Sequence, residues 1–437
     1  MTEGPGAVRT RAEAARRAGQ SLSRLTGAER SALLKAVAVA IESAEVQERV
    51  LLANREDVAA AQAEAERGAM APALLQRLSL DARKLADLAE GLRQLASHED
   101  LVGRQTLFRE LDDGLVLERV TCPLGVLGVV FEARPDALVQ IAGLALRSSN
   151  AVVLKGGREA LRTNQALTEA LQTVVHACGA DPAAVTLLKD REEVETLLAL
   201  DDVVDMVVAR GSSEFVAMVR QKTRIPVMSH AAGVCHLYLH ESARPEMAAN
   251  LAVDGKISYP AACNSTETLL WDAGADKALD ACVSALEAAG VELRGCPATR
   301  ARHPQLTKAS EADWDAEYGT LVLAIRQVRG LEGALSHIAA HGSRHTEAIV
   351  AEDAAAAEFF LRDVDAASVF WNASTRFADG YRFGLGAEVG ISTDKLHARG
   401  PVGVEGLMTY RWILRGHGQS TTDYGPGGRS FTHKTIA

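Results

Sequence analysis

Several recurrent signatures are missing from this 437-residue chain. It has no G-x-x-x-x-G-K-[ST] loop, which excludes a P-loop nucleotide site. No G-x-G-x-x-G follows a strand pattern, and the glycines of Gly384-Leu-Gly-Ala-Glu-Val-Gly390 have the wrong spacing and fall too late. Six cysteines without a single C-x-x-C pair exclude a disulfide framework and a clustered zinc site. No stretch of about 18 apolar residues exists to span a bilayer. The first residues carry basic groups but no apolar core of a secretory signal, so a reducing, cytoplasmic setting is expected. Positive charge is also short. With 47 Lys+Arg against 57 Asp+Glu the net charge is −10, which argues against nucleic acid and anionic membrane as partners.

What remains is ordinary globular usage, 47% hydrophobic and 24% charged, in a length suited to two or three domains. Residues 1–104 read as helices rich in Ala, Leu, Glu and Arg, with a capping-box pattern Thr26-x-x-Glu29 ahead of Leu33, Leu34, Val37, Val39 and Ile41. Residues 107–120 alternate apolar and charged residues around Asp113-Gly114, the pattern of a β-hairpin with one exposed face. From 126 onward short β-branched runs (126–131, 151–155, 184–188, 203–208, 225–228) alternate with helical stretches (136–147, 159–177, 191–200, 212–222). Consecutive βα units imply a doubly wound parallel sheet, an α/β fold that binds ligands at the carboxyl ends of its strands. A second α/β region follows from 234 to about 400, and the tail 402–437 carries a helix-like stretch.

Four features bear on chemistry. Arg210-Gly211-Ser212-Ser213 follows a strand and opens a helix, where Gly permits close backbone approach and free N–H groups face an anion; its bland reading is a simple N-cap. Lys155 ends a strand before Gly156-Gly157, although a strand-end lysine is often merely solvated. Cys263 lies in Ser258-Tyr-Pro-Ala-Ala-Cys-Asn-Ser-Thr266, a small-residue turn of the kind that leaves a thiol reachable; a cysteine of unknown setting is otherwise more often inert. His341-Gly-Ser-Arg-His345 has metal-like spacing, but the interposed Gly-Ser argues for a loop, and no metal is expected.

Together these segments resemble the aldehyde dehydrogenase superfamily and, within it, the γ-glutamyl phosphate reductase family. The likeness covers nearly the whole chain. It rests on Pro123-Leu-Gly-Val-Leu-Gly-Val-Val-Phe-Glu-Ala-Arg-Pro135, Ser149-Asn-Ala-Val-Val-Leu-Lys-Gly-Gly157, Tyr259-Pro-Ala-Ala-Cys-Asn264, His341-Gly-Ser-Arg-His-Thr-Glu347, and Gly384 to Thr393 running into His397-Ala-Arg-Gly-Pro-Val-Gly403. The resemblance implies an NADP-binding domain (1–106 and 121–233), a catalytic domain (234–402) and a β oligomerisation ribbon with tail (107–120 and 403–437). It makes Cys263 the nucleophile, puts Lys155 at the adenosine ribose or its 2′-phosphate, and Gly211 and Ser212 near the pyrophosphate. Glu317 falls on the nicotinamide ribose, and Asn264 is the candidate second donor to the oxyanion. Arg134, His341, His345, Glu388 and Arg399 are expected in the substrate pocket.

Two departures from the oxidising members carry information. Ala133 stands where their oxyanion-hole Asn is, and His230 corresponds to their general-base Glu. Losing that base removes the hydrolytic water, which suits a thioester resolved by hydride rather than by water. The implied reaction is NADPH-dependent reduction of L-glutamyl 5-phosphate to L-glutamate 5-semialdehyde and phosphate, a step of proline biosynthesis. A homodimer or tetramer is implied, with glutamate 5-kinase as a potential partner. Two rivals stand beside it: an oxidising aldehyde dehydrogenase with a displaced base, and a non-catalytic scaffold, which would usually lose the cysteine, lysine and Gly-Ser turn together.

Overall fold

The computed structural model describes residues 5–67, 75, 77–132, 134–211, 213–229 and 232–435. Its first hundred residues form the expected helices, Pro5–Leu22, Gly27–Glu42, Ala44–Glu66 and Ala82–Ser97. The capping box is present: the Glu29 N–H donates to Thr26 Oγ1 at 3.2 Å, and the Thr26 N–H donates to Glu29 Oε2 at 2.6 Å. Leu33, Leu34, Val37 and Ile41 share the buried face of their helix, whereas Val39 is exposed. Two residues past Val37 is about 200° around a helix, so Val39 belongs to the opposite face.

Five parallel strands build the first sheet, in spatial order Val185–Leu187, Ala151–Lys155, Val126–Phe131, Met206–Arg210 and Val227–Met228. The first strand in sequence is central, and the chain winds outward from it to one side and then to the other. That is the doubly wound topology, and its switch point falls between Val126–Phe131 and Met206–Arg210, where a ligand crevice opens beyond the carboxyl ends. The run 203–208 expected as a strand is shifted. Val203 and Val204 bury in the apolar layer beneath the sheet, and pairing starts only after Asp205, whose Oδ2 accepts the Val126 N–H at 2.8 Å.

Seven parallel strands form the second sheet, in order Thr307–Lys308, Glu292–Gly295, Val322–Val328, Thr266–Asp272, Cys235–Leu239, Thr346–Val350 and Ser368–Trp371. The expected hairpin forms from Gln105–Asp112 and Leu115–Pro123, with Gly114 at φ +65° in its turn. Two tail strands extend it to four: Met408–Arg415 pairs with Leu115–Pro123, and Lys434–Thr435 with Gln105–Asp112. The helix-like stretch expected in the tail is therefore a strand. Its alternation of Tyr410, Trp412 and Leu414 favours a pleat, and a ladder along its whole length satisfies the backbone.

The expected boundary at 402 does not coincide with the packing. Val389, Val402, Val404, Leu407 and Met408 bury in the same cluster as Leu127, Leu138 and Leu154 of the first domain. After the second sheet the chain thus returns to complete the first core, crossing the mouth between the domains on the way. Among the described residues no helix is long and apolar enough to cross a membrane.

Candidate active site

The loop 258–265 joins the helix Pro245–Ile257 to the strand Thr266–Asp272 and carries Cys263. Two tight turns shape it, with the Ala262 N–H donating to Tyr259 O at 3.1 Å and the Ser265 N–H to Ala262 O at 2.9 Å. Gly233 lies hard against it: a Cβ there would sit 1.9 Å from the Cys263 carbonyl oxygen, so only glycine allows this approach. From below, the buried Cys235 thiol donates to the same carbonyl at 3.3 Å. Asn264 is buried and spends its amide Nδ2 on Ala378 O at 2.9 Å, tying the loop to the returning segment.

Cys263 is half-buried and faces a cavity of about 480 Å3, whose wall includes Arg134, Arg210, Gly211, Asn264, Glu317, Arg376, Asp379 and Glu388. A second cavity of about 440 Å3 adjoins it and shares Arg134, Arg210, Asp379 and Glu388. Both open at the switch point of the first sheet: Arg210 ends one of the two strands there, and Arg134 lies three residues beyond the end of the other. Burial pushes the Cys263 thiol up to about 12, with Glu388 and Glu317 adding to the shift and Arg210 and Arg134 opposing it. Burial likewise raises the Glu388 carboxyl, although its Oε2 accepts the Gly380 N–H at 2.8 Å. Neither the Arg134 nor the Arg210 guanidinium has a hydrogen bond or ion pair among the described residues.

Six of the residues expected from sequence therefore meet here: Cys263, Asn264, Arg134, Gly211, Glu317 and Glu388. Ser212, Ala133 and His230 lie outside the described residues. Lys155 sits one strand away on the same carboxyl edge, paired across from Val130, with its Nζ donating to Gly156 O at 2.5 Å. Burial lowers its pKa.

Three expected pocket residues are elsewhere. His341 closes the helix Gly330–His341 and pairs with Asp315 at 2.8 Å. His345 is buried with Nδ1 2.8 Å from Thr346 Oγ1, and Arg399 bonds Asp365 Oδ1 at 2.8 Å. None of them lines the Cys263 cavity. The His341–Glu347 stretch leads into a central strand, so its side chains serve the sheet interior: Glu347 Oε2 accepts the backbone N–H of His236 at 2.9 Å and lies 2.8 Å from its Nδ1. Among the described residues no group of three or more His, Cys, Asp or Glu is placed to hold a metal.

Sequence reasoning missed Arg210, Arg376 and Asp379. Arg210 had a usable signal, since it closes a strand immediately before Gly211 at the ligand edge of the sheet. Arg376 and Asp379 had none, because only the returning segment brings them to the cavity.

No family model matches the chain. Its architecture is that of the aldehyde dehydrogenases: the structure of an acetylating aldehyde dehydrogenase from Geobacillus thermoglucosidasius superposes with a TM-score of 0.68 at 17% identity, covering 95% of this chain and 98% of that one. Nearer likeness is found in one family. A γ-glutamyl phosphate reductase of Synechococcus sp. (strain JA-2-3B'a(2-13)) is 53% identical over 423 residues, 96% of this chain and 92% of the other. That of Parasynechococcus marenigrum (strain WH8102) is 51% identical over 427 residues, 98% and 97% of the two chains. The crystal structure of the Thermotoga maritima γ-glutamyl phosphate reductase superposes with a TM-score of 0.90 at 34% identity, covering 94% of this chain and 99% of that one. The chain belongs to the γ-glutamyl phosphate reductase family.

Proposed function

We propose that the protein reduces L-glutamyl 5-phosphate to L-glutamate 5-semialdehyde and phosphate with NADPH, a step of proline biosynthesis, through a thioester on Cys263. The observation that carries this reading is the convergence of one reachable thiol with two guanidinium groups that make no hydrogen bond or ion pair among the described residues, at the switch point of a doubly wound sheet.

The carboxyl edge of the first sheet suits a dinucleotide. Lys155 is a desolvated cation there, only 7% exposed. A Cβ on Gly211 would come within 2.9 Å of Phe215 and 3.1 Å of Glu132, so glycine is what fits at this strand end, just before the helix Ser213–Lys222. Lys155 and the 211–213 turn would hold the adenosine and pyrophosphate parts, and Glu317 the nicotinamide ribose. A bound NADPH supplies hydride to the thioester carbon.

Arg134 and Arg210 stabilise the Cys263 thiolate against the burial that otherwise keeps the thiol protonated. The thiolate sulfur attacks the γ-carbonyl carbon and forms the C–S bond, the bond from that carbon to the bridging oxygen breaks, and phosphate leaves with this oxygen and the bonding pair. Arg376, held by its Nε bond to Ser258 Oγ at 3.0 Å, faces the same cavity and suits the departing phosphoryl group. Once the acyl carbon is reduced, the C–S bond breaks, the aldehyde leaves and Cys263 is again a thiolate.

The four-stranded ribbon supports self-association, because Tyr410, Trp412 and Leu414 project from an edge strand at 52–56% exposure. The decisive assay runs the reaction backwards. Cys263→Ala should abolish NADP+ reduction that depends on both phosphate and glutamate 5-semialdehyde. Retention of that activity by the variant, or oxidation independent of phosphate in the unaltered enzyme, would overturn the reading.

A further inference from the structure

We propose that Arg210 is a specificity-determining residue of this enzyme: with Arg134 it grips the α-carboxylate of the substrate, while Glu388 takes the α-ammonium. The inference rests on the reduction of glutamyl phosphate proposed above and assigns the end of the substrate remote from the reacting carbon.

Arg134 and Arg210 line both adjoining cavities, so they stand at the passage from the one that holds Cys263 to the one that does not. A five-carbon substrate with its γ-carbonyl at Cys263 must send its amino-acid head in some direction, and this passage is built with charge. Arg210 is also held in place. Gly390, at φ +149°, packs beside its stem: a Cβ there would meet Nε at 3.4 Å and Cδ at 3.6 Å, ordinary contact distances. The guanidinium is thus clasped between a strand end and the returning segment, with its hydrogen-bonding capacity unspent among the described residues. Withdrawing a guanidinium from water without hydrogen-bond acceptors is costly even with Glu388 and Asp136 acting on it through space, and a ligand carboxylate supplies those acceptors.

A phosphoryl dianion beside these arginines would also face carboxylates: Glu388 at the passage, Asp379 next to it, and Asp136 in the second cavity. An α-amino-acid head is the complementary shape of charge. Its carboxylate meets the planar guanidinium forks, and its ammonium meets a carboxylate already tied down through Gly380. Arg376, which lines only the cavity that holds Cys263 and sits over the Tyr259 ring, is left for the phosphoryl end.

The test compares two aldehydes in the reverse direction, both with phosphate and NADP+: glutamate 5-semialdehyde, and butanal, which has the same reacting group and no head. The readout is the ratio of their kcat/KM values. This ratio cancels any effect of Arg210 on Cys263 reactivity, because both aldehydes use the same thiol. The expected result is a ratio lowered about 100-fold in Arg210→Ala, and at least tenfold in Arg210→Lys, which keeps the charge but not the fork. Arg210→Lys also guards against misfolding of the alanine variant, checked by thermal melting. An unchanged ratio in both variants overturns the assignment, and so does a rise in phosphate KM with the ratio kept, since the arginine would then hold the phosphoryl group. A wild-type protein inactive with both aldehydes overturns the proposed reaction and this assignment with it.

Discussion

The thiol of Cys235 donates its proton to the backbone carbonyl of Cys263 across 3.3 Å, so one cysteine positions the loop that carries the other. Burial raises the Cys235 pKa well above its ordinary value, which keeps the proton on sulfur and the donor intact at any working pH. Cys235→Ala removes the donor and should lower kcat about five- to tenfold, with aldehyde KM within about twofold. Cys235→Ser restores a donor and should recover most of the loss. Steady-state kinetics of the pair separates positioning from folding, and equal losses in both variants would contradict the role.

The acidity of Cys263 gives a second expectation. With its thiol near 12 in the free protein, only a small thiolate fraction exists at neutral pH. Iodoacetamide alkylation should therefore accelerate about tenfold per pH unit from 7 to 10 without reaching a plateau. Glu388 raises this pKa, so Glu388→Gln lowers it, and alkylation at pH 8 should become about three to ten times faster. A slower reaction would give the wrong sign.

Lys155 tests the nucleotide edge. Lys155→Ala removes a buried cation whose one hydrogen bond is local, so the fold has little to lose beyond packing. The expected effect, in the reverse direction, is an NADP+ KM raised about ten- to a hundredfold, with the KM for phosphate nearly constant. Isothermal titration with NADP+ checks the same point without turnover.

Self-association through the ribbon is tested by charge. Arg119 sits over the Tyr410 ring at 5.0 Å and the Trp412 ring at 6.0 Å, an aromatic face on the solvent side of an edge strand. Trp412→Asp should yield a monomer by light scattering with unchanged far-ultraviolet dichroism, because Trp412 pairs through backbone with Arg119 and buries little within one chain. An intact oligomer would place the contact elsewhere.

The sequence spoke clearly where a local pattern decides the outcome. The alternation of β-branched runs and helices is local, as is the Thr26–Glu29 cap, and both formed. Asp113-Gly114 needed only its own neighbours to make the hairpin. The misreadings share another cause. Met408–Arg415 becomes a strand because Leu115–Pro123, almost 300 positions earlier, offers it a ladder. His341 and His345 belong to a recognisable motif, but a motif does not say which face of a sheet its side chains enter. Arg210, Arg376 and Asp379 matter because three distant stretches converge, and no periodicity records that.

The returning segment also has a consequence for the newborn chain. Val389, Val402, Val404, Leu407 and Met408 belong to the core begun by the first 230 residues, so that core stays unfinished until nearly the whole polypeptide has left the ribosome. The second sheet is in effect an insertion within the first domain, and it can close on itself while its host still waits. A nascent or truncated product ending before about 388 would expose the apolar seat of those side chains and lack the wall that clasps Arg210. Assembly order thus bears on the chemistry: Cys263 is made before Glu388, and the cavity around the thiol is walled last.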